Sequence, residues 1–449
     1  MGSSQKLKTV LKNKIHALQS IKANIEHGFP YRKLNIIGVT GTNGKTTTTQ
    51  MIYHILKENG LKTGYMSTIS AKIGDQELDT GFHVTTPDPW LVPKFLKMMV
   101  AAGIEFVVVE STSQGLEQNR LWGVEYEAVT ITNIQSDHLD YHKTWENYAQ
   151  AKFRIVKKLK TGGLAVFNKD DNAVNWLKQQ LAMLKKDIKQ IWYSKADVTD
   201  KKKSLTGYEF CLEGVDFKLP LLGDYNLENA LAAIRICEKY LPLKDIAAAL
   251  ASFPTPVGRM EVIRQRPFTV IVDFAHTPEA LEAALQSVVE LKNKEAKIIT
   301  VFGCAGKRDV ARRTMGAVSA RLSDVTILTA EDPRDEILAD INHEIFKYGQ
   351  EHNAEMVAEF ANNEQWKAQN VDSLKIKVQE AISKHKKPFI AFNEDSVQSR
   401  RDAIACALSL ADAQDIVFVT GKAHEQSLCF NETEFAWDDR VEVKTFLEK

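Results

Sequence analysis

Between a short apolar run, Ile36 to Val39, and an amphipathic run carrying Met51, Ile52, Ile55 and Leu56, the chain reads Thr40-Gly41-Thr42-Asn43-Gly44-Lys45-Thr46-Thr47. Few segments restrict a fold so tightly. A buried strand must feed straight into a helix, through a turn where Gly41 and Gly44 allow backbone shapes that a side chain would block. Backbone N–H groups then turn inward, and the helix N-terminus adds partial positive charge. That cradle suits phosphate oxygens, with Lys45 as a point charge for the β- and γ-phosphates and the Thr46 hydroxyl placed for Mg²⁺. Gly41, Thr42, Asn43, Gly44, Lys45, Thr46 and Thr47 are therefore the predicted phosphate-binding residues. The usual spacing of such loops wants glycine at 39, where this chain has Val39.

The rest of the chain has to extend that strand–turn–helix unit. From 34 to about 256, strands alternate with helices, and Phe106 to Val109, Ala128 to Thr132 and Leu164 to Phe167 are apolar strand candidates. Such alternation predicts an α/β fold, a parallel sheet covered by helices. Phe253-Pro-Thr-Pro-Val-Gly258 breaks the pattern and reads as a linker. A second alternating series follows, with strands at Thr269 to Val272, Ile298 to Phe302, Val325 to Leu328 and Ile416 to Val419. The prediction is a central phosphate-loop ATPase domain over 34–256 and a Rossmann-like α/β domain over 257–449. Ahead of both, residues 1–33 read as one basic amphipathic helix, with Leu11, Ile15, Leu18, Ile21 and Ile25 at helical spacing. Packing against its own domain is the expectation for this helix, ahead of lying on a membrane surface.

Charge and cysteine usage remove several function classes. Lys plus Arg and Asp plus Glu are both 58, so no net field draws the chain to nucleic acid or anionic membrane. The five cysteines, at 211, 237, 304, 406 and 429, are scattered without metal-type spacing, as in a reduced cytoplasmic protein. No run of 18 apolar residues and no signal-peptide core is present, so neither a membrane span nor secretion is expected.

In sheets of this kind chemistry gathers at the carboxyl ends of strands, and the unusual residues fall there. One strand ends in Glu110-Ser-Thr-Ser113 and another in Asn133-Ile-Gln-Ser-Asp-His138-Leu-Asp-Tyr-His142. Glu110 through oxygen and His138 through a neutral ring nitrogen could both ligate a divalent ion beside the loop. Asp137, Asp140 and His142 strengthen the functional reading of that stretch.

Taken together, Thr-Gly-Thr-Asn-Gly-Lys-Thr, Thr85-Thr86-Pro87, Glu110 to Leu116, Asp137 to His142 and Tyr148-Ala-Gln-Ala-Lys152 resemble the Mur ligase family. Gly258-Arg-Met-Glu261, Asp273-Phe-Ala-His276-Thr-Pro278, Phe302-Gly-Cys-Ala-Gly-Lys-Arg-Asp309 and Gly421-Lys-Ala-His-Glu425 resemble one branch, the tripeptide synthetases that add the third amino acid of the peptidoglycan stem. The match runs in order over about 34–449.

The resemblance implies an ADP-forming ligase that phosphorylates a muramoyl-peptide-type carboxylate with ATP and lets an amino acid's amine displace phosphate. It implies Mg²⁺ at Thr46, Glu110 and His138, and carbamoylation of Lys152, which makes that lysine a carboxylate-like ligand for a second magnesium. Lys45, Lys152 and His138 then carry the catalysis. Asn229 matches an asparagine near the adenine, and Arg259, Asp273 and His276 match positions by which the last domain reaches the nucleotide. Thr85, Thr86, Ser113, Arg120, Asp332, Arg334, Gly421 and Glu425 match substrate positions. Of the amino acids, Arg334 favours diaminopimelate, because a guanidinium grips a distal carboxylate and repels the ammonium of lysine.

Three departures from the family pattern bear on substrates. Its uridine-gripping domain fills about 80 to 100 residues, and 33 residues precede the first strand here, which puts uridine recognition of the usual kind in doubt. Gln114 stands where the branch has histidine, and Glu331-Asp332-Pro-Arg334 replaces Asp-Asn-Pro-Arg. Two other readings stay open. One is an amide ligase with another acceptor, of the folylpolyglutamate synthase kind, and the other a nucleotide-binding partner without ligation.

Overall fold

The computed structural model describes residues 3–67, 70–74, 76–79, 89–135, 137–307, 310–423 and 425–448. The chain forms two compact units, one of Met1–Lys202, Gly207–Pro220 and Tyr225–Phe253, the other of Lys203–Thr206, Leu221–Asp224 and Pro254–Lys449.

The first unit is built on an eight-stranded sheet. Its strands are β1 (Asn35–Thr40), β2 (Thr63–Met66), β3 (Ser70–Ile73), β4 (Gln76–Asp79), β5 (Phe106–Glu110), β6 (Tyr126–Ile131), β7 (Leu159–Asn168) and β8 (Lys189–Tyr193), in the order β4-β3-β2-β5-β1-β6-β7-β8. β1 lies centrally, parallel to β5 and β6, while β3 and β4 form an antiparallel extension beside β2. Ile36, Ile37, Val39, Val107, Val108, Ala128 and Val129 are buried to 2% exposure or less on both faces of the sheet, which is why these strands read as continuous apolar runs. Burial of each such side chain is worth roughly 1.5–3 kcal/mol.

Register decides what meets at the rim. Val39 pairs with Glu110, and Thr40 with Ile131. The departure at position 39 has its reason here. β1 continues through Thr40, so residue 39 is fully buried strand and the turn begins only at Gly41. The helix Lys45–Glu58 follows, and Met51, Ile52, Ile55 and Leu56 form its fully buried face.

The amino-terminal segment differs from expectation in two ways. The helix covers Ser3–His27 and stops, because Gly28 and Phe29 take left-handed φ of 74° and 54° and Pro30 opens a separate turn, Pro30–Lys33. The helix does pack on its own unit, through small and polar residues. Ser20 Oγ donates to the Asn119 carbonyl at 3.1 Å, Asn24 Nδ2 donates to the Trp122 carbonyl at 3.4 Å, and Ala23 is buried. Ile15, Leu18 and Ile25 of the predicted stripe are exposed. Polar anchors to loop carbonyls fix the helix's rotation and turn those apolar residues outward.

β9 (Val198–Ser204), β10 (Gly207–Leu212) and β11 (Val215–Leu219) form a separate three-stranded sheet, β10 antiparallel to β11, that the apolar pattern did not reveal. The second unit holds a seven-stranded sheet. Its strands are β12 (Glu261–Arg264), β13 (Thr269–Asp273), β14 (Ile298–Phe302), β15 (Val325–Leu328), β16 (Ala354–Phe360), β17 (Lys387–Phe392) and β18 (Ile416–Thr420), in the order β12-β13-β18-β14-β15-β17-β16. All neighbours are parallel except β12 with β13. The layering is Rossmann-like, but the last long strand, β18, inserts between β13 and β14, unlike the 3-2-1-4-5-6 order of dinucleotide-binding sheets. A hairpin of β19 (Ser427–Phe430) and β20 (Thr433–Ala436) follows. No helix among the described residues is long and apolar enough to cross a membrane.

One buried ion pair ties the carboxyl ends of β15 and β18 together. Arg400, fully enclosed, donates to Asp439 Oδ1 and Oδ2 at 2.7 and 2.8 Å, and to the carbonyls of Ala330 and Thr420 at 2.9 and 2.8 Å. Asp439 also accepts from Trp437 Nε1 and the Ala423 N–H. Burial alone would raise the Asp439 pKa, but the Arg400 charge and these donors outweigh it and hold the carboxyl below its ordinary range. A depressed carboxyl pKa stabilises the fold at neutral pH and loses that contribution as pH falls through it. Asp439→Asn should cost about 3–5 kcal/mol in urea unfolding at neutral pH, with the difference from wild type shrinking in acid.

Candidate active site

The loop after β1 is shaped by contacts too close for any side chain. A Cβ on Gly41 would stand 1.8 Å from Thr132 Oγ1, and one on Gly44 2.0 Å from Asn229 Oδ1. Gly44 also has φ 81° as it begins the helix Lys45–Glu58, which no side chain caps. The end of β6 holds the loop from one side. Asn133 Oδ1 accepts from the N–H groups of Thr42 and Asn43 at 3.1 and 2.9 Å, and Thr132 Oγ1 donates to the Asn43 carbonyl at 2.6 Å. Asn43 Nδ2 donates to Gln135 Oε1 at 2.9 Å, and the Tyr148 hydroxyl donates to Thr42 Oγ1 at 3.1 Å. Thr132, Asn133 and Tyr148 belong to sequence motifs that show no role for them. Their spacing from the loop, about ninety residues and more, hides such contacts from any local pattern.

Lys45 Nζ lies 2.8 Å from the Thr42 carbonyl, folded over its own loop. Thr46 Oγ1 donates to Glu110 Oε2 at 3.0 Å, and Glu110 is 1% exposed. Thr47 is buried in the first turn. A buried carboxylate beside a hydroxyl is an oxygen donor pair of the kind hard divalent cations take.

Lys152 comes to the same loop from the helix Trp145–Lys157, whose start is capped by Thr144. Its Nζ donates to the Gly41 carbonyl at 2.5 Å and sits 4.4 Å from the Tyr148 ring centroid. Burial drives its pKa well below the ordinary lysine value and the Lys45 charge adds to that, against the pull of Asp137 and Glu110. The charged form is thus less favoured there than in an ordinary lysine, and the amine correspondingly more so. His138, at φ 51°, keeps its ring half-exposed with Nε2 3.4 Å from Asp137 Oδ2. Thr46, Glu110 and Lys152 thus surround the loop in close contact, while His138 stands with Asp137 beside them. Among the described residues no cluster of three His, Cys, Asp or Glu side chains is arranged to hold a metal. A cation here would draw on the Thr46 hydroxyl and the Glu110 carboxylate.

Asn229 lies against Gly44 and donates through Nδ2 to Asn226 Oδ1 at 3.1 Å. Ser113 Oγ meets His142 Nε2 at 2.9 Å, and Arg120 Nε donates to Gln118 Oε1 at 2.8 Å, Gln118 in turn reaching the Tyr141 hydroxyl at 3.2 Å. Gln114 sits in the same short helix as Ser113, Ser113–Glu117. Thr85 and Thr86 lie outside the described residues.

The second unit gathers its candidates at strand ends. The Arg259 guanidinium lies 4.6 Å from the Phe274 ring centroid, and its buried Nε has no hydrogen-bond partner among the described residues. His276 lies on the same phenyl, centroids 4.5 Å apart. The two Asp273 oxygens accept from the Met260 and Ala275 N–H groups, both at 2.8 Å, so this buried carboxylate shapes the backbone around β13. Burial raises its pKa against the opposing charge of Arg259.

At the end of β15, Asp332 and Arg334 take left-handed φ of 47° and 55°. Lys422, 1% exposed, holds Asp332 at 2.9 Å and Glu425 at 2.5 Å. Asp332 is therefore taken up by an internal cation and does not neutralise Arg334, whose buried Nε has no partner among the described residues. The Arg334 backbone is pinned to β19, its N–H donating to the Cys429 carbonyl and its carbonyl accepting from Asn431. Gly421, at φ 107°, packs near the Glu331 carboxyl. Glu331, in the sequence only a departure from the family pattern, stands out in the structure. It is 6% exposed, its Oε2 has no partner among the described residues, and burial pushes its pKa up to about 8 against the charges of Arg312 and Lys422.

Comparison with known proteins places both halves of the chain in one family. Residues 39–237 match the Mur ligase middle domain and residues 258–376 the Mur ligase glutamate ligase domain. The chain is 33% identical over 456 residues to a UDP-N-acetylmuramoyl-L-alanyl-D-glutamate–2,6-diaminopimelate ligase of Clostridium tetani, covering 98% of this chain and 82% of that one. It is 34% identical over 442 residues to a UDP-N-acetylmuramyl-tripeptide synthetase of a Roseiflexus species, covering 94% and 80%. Among solved structures, a diaminopimelate ligase of the same description superposes with a TM-score of 0.62 at 27% identity, covering 96% of this chain and 83% of the other. A Mycobacterium tuberculosis folylpolyglutamate synthase bound to ADP and AMPPCP superposes at 0.60 with 17% identity over 90% and 92%, a likeness of fold.

The Glu331 environment makes a pH-dependent expectation. An acid raised from 4.5 to about 8 binds a proton in the folded state that the unfolded chain releases, so stability falls as pH rises between those values. Glu331→Gln keeps the shape without the charge. Its stability relative to wild type should rise steadily from mildly acid to mildly alkaline pH, read by urea unfolding across a pH series.

Proposed function

The chain belongs to the Mur ligase family, an ATP-dependent amide ligase, and from that premise we propose that it joins meso-diaminopimelate to a muramoyl-peptide acceptor. The acceptor carboxylate attacks the γ-phosphorus of ATP, ADP leaves, and an acyl phosphate forms. The amino acid's neutral amine then attacks the carbonyl carbon, a proton is lost from nitrogen, and phosphate departs through a tetrahedral intermediate. Both steps bring negative groups together, so stabilising charge as it develops is the main catalytic task.

The chain's residues divide that task. Lys45 and the N–H groups at the start of the helix Lys45–Glu58 bind the phosphates, those of Thr42 and Asn43 being given to Asn133 Oδ1. Thr46 and Glu110, with His138, would hold magnesium, which supplies positive charge between phosphate and carboxylate. Lys152, buried as an amine that resists protonation, would attack carbon dioxide through its nitrogen lone pair, lose a proton, and become a carbamate. Asn229, Arg259 and His276 are nucleotide contacts, with Asp273 ordering the backbone near Arg259. Ser113 and Arg120 meet the acceptor, together with Thr85 and Thr86. Arg334 takes the distal carboxylate of diaminopimelate, with Asp332, Gly421 and Glu425 around its amine. The observation that carries this reading is the meeting of Lys45, Thr46, Glu110 and a charge-averse Lys152 on one loop.

Phosphate release from ATP, measured across muramoyl-dipeptide and folate-type acceptors with a panel of amino acids, tests it. Turnover that needs both a muramoyl-peptide acceptor and diaminopimelate supports the proposal; turnover with only folate-type acceptors, or none that depends on acceptor, refutes it. Lys45→Ala should lose about 3 kcal/mol or more of transition-state stabilisation, at least a hundredfold in rate, with its melting temperature unchanged.

Lys152→Ala should be nearly inactive, and short carboxylates should restore part of the activity. Carbon-13 NMR of wild type under labelled carbon dioxide should show a carbamate signal that the variant lacks.

The amino-acid choice is tested separately, by competing diaminopimelate and lysine at equal concentration. Wild type should prefer diaminopimelate and Arg334→Ala should lose most of that preference. A lysine preference in wild type would defeat the argument.

A further inference from the structure

His142 closes the run Asp137 to His142, and the ligation chemistry above does not use it. Its imidazole is almost wholly enclosed, with 1% of the side chain exposed. Nε2 is 2.9 Å from Ser113 Oγ. Nδ1 is 3.2 Å from Glu117 Oε2, a buried oxygen with no hydrogen-bond partner among the described residues, so the two face each other at ion-pair distance. Ser113 and Glu117 are the first and last residues of one helical turn, four apart and so on one face, and the ring spans them. Tyr141 and Tyr148 brace it, with centroids 4.7 and 5.3 Å away, and Asn147 Nδ2 donates to the His142 carbonyl at 3.0 Å. A carboxylate, an imidazole and a hydroxyl thus stand in line, the imidazole and hydroxyl buried and the Glu117 side chain 26% exposed.

The line has a direction. An ionised carboxylate only accepts, so the ring nitrogen facing Glu117 carries hydrogen. In the neutral ring Nε2 is then the acceptor, and the hydroxyl hydrogen of Ser113 goes to it. The Ser113 oxygen is left with lone pairs and no hydrogen to offer a ligand. We propose that Glu117 and His142 are positioning residues that fix Ser113 as a pure hydrogen-bond acceptor, selecting an N–H donor on the peptide portion of the acceptor substrate. The inference rests on the reading of Ser113 as an acceptor contact. A serine free to rotate could donate to a carboxylate or phosphate; this one could do so only by abandoning His142.

Glu117→Gln tests the direction without disturbing packing. The new amide can donate to Nδ1, which moves the ring hydrogen to Nε2, and Nε2 then donates to the Ser113 oxygen and turns the hydroxyl hydrogen outward. The KM for the acceptor should rise about tenfold, the loss expected when one donor–acceptor pair is mismatched. The KM for ATP and the kcat at saturating acceptor should stay within about twofold. Ser113→Ala should raise the acceptor KM to a similar extent, and the double variant should be no worse than Ser113→Ala alone, because both act through one atom.

Nitrogen-15 NMR of histidine-labelled protein reads the same point without catalysis, with the His142 signals assigned by their loss in His142→Asn. Wild type should show hydrogen on Nδ1 and none on Nε2, and Glu117→Gln the reverse. Hydrogen on Nε2 in wild type, or a wild-type acceptor KM in Glu117→Gln, overturns the proposal. An unchanged acceptor KM in Ser113→Ala overturns the contact itself. If wild type turned over no muramoyl-peptide acceptor, the substrate reading would fall, while the NMR result would still decide the direction of the line.

Discussion

The backbone from Gly41 to Gly44 passes closer to Thr132 and Asn229 than any side chain would allow, and the first unit's chemistry depends on that approach. With the loop drawn against the end of β6, its carbonyl at Gly41 meets Lys152 and its helix begins where Thr46 reaches Glu110. A methyl group at Gly41 would have to displace the Thr132 hydroxyl that itself holds the loop, and one at Gly44 the Asn229 amide. The site is therefore assembled by exclusion as much as by attraction, and the strands that supply Glu110 and Thr132 are set in register by β1 between them.

Both units place titratable groups out of water at the carboxyl ends of their strands, but they handle them differently. In the first, burial and the Lys45 charge disfavour the charge on Lys152, against the pull of Asp137 and Glu110. In the second, Lys422 and Arg400 are enclosed with carboxylate partners and keep their charge, while Glu331, close to both, has no direct donor for Oε2 among the described residues. Removing one member of a paired buried set exposes the cost of the other, whereas an unpaired group shifts its own protonation instead. Displaced pKa values of this kind cluster where a ligand supplies the missing partner, and Lys152 and Glu331 are groups of that kind.

Departures from the family pattern become intelligible on the same terms. Val39 stands in place of glycine because β1 continues past it. Asp332 stands in place of asparagine with Lys422 bound to it at 2.9 Å, so the added charge is matched inside the protein and Arg334 is left for other work. The amino-terminal helix turns Leu18 and Ile25 to solvent because Ser20 and Asn24 bond to loop carbonyls. A helical wheel weighs apolarity alone and cannot anticipate that choice.

The sequence by itself determined the phosphate loop, the long apolar strands and the helix that follows β1, because each is written in neighbouring residues at a strand or helix period. It also carried the family's motifs in order, and these named Lys45, Thr46, Glu110, Lys152, Arg334 and Glu425. Tertiary structure alone decided what those residues do to one another. Lys152 reads as an ordinary helix lysine until β1 and the loop close over it. The Arg400–Asp439 pair joins residues 39 apart, the Thr42–Tyr148 bond residues 106 apart, and the His142 line spans 29. Burial and hydrogen-bond direction are properties of surroundings, and those surroundings come from chain segments that no local pattern connects.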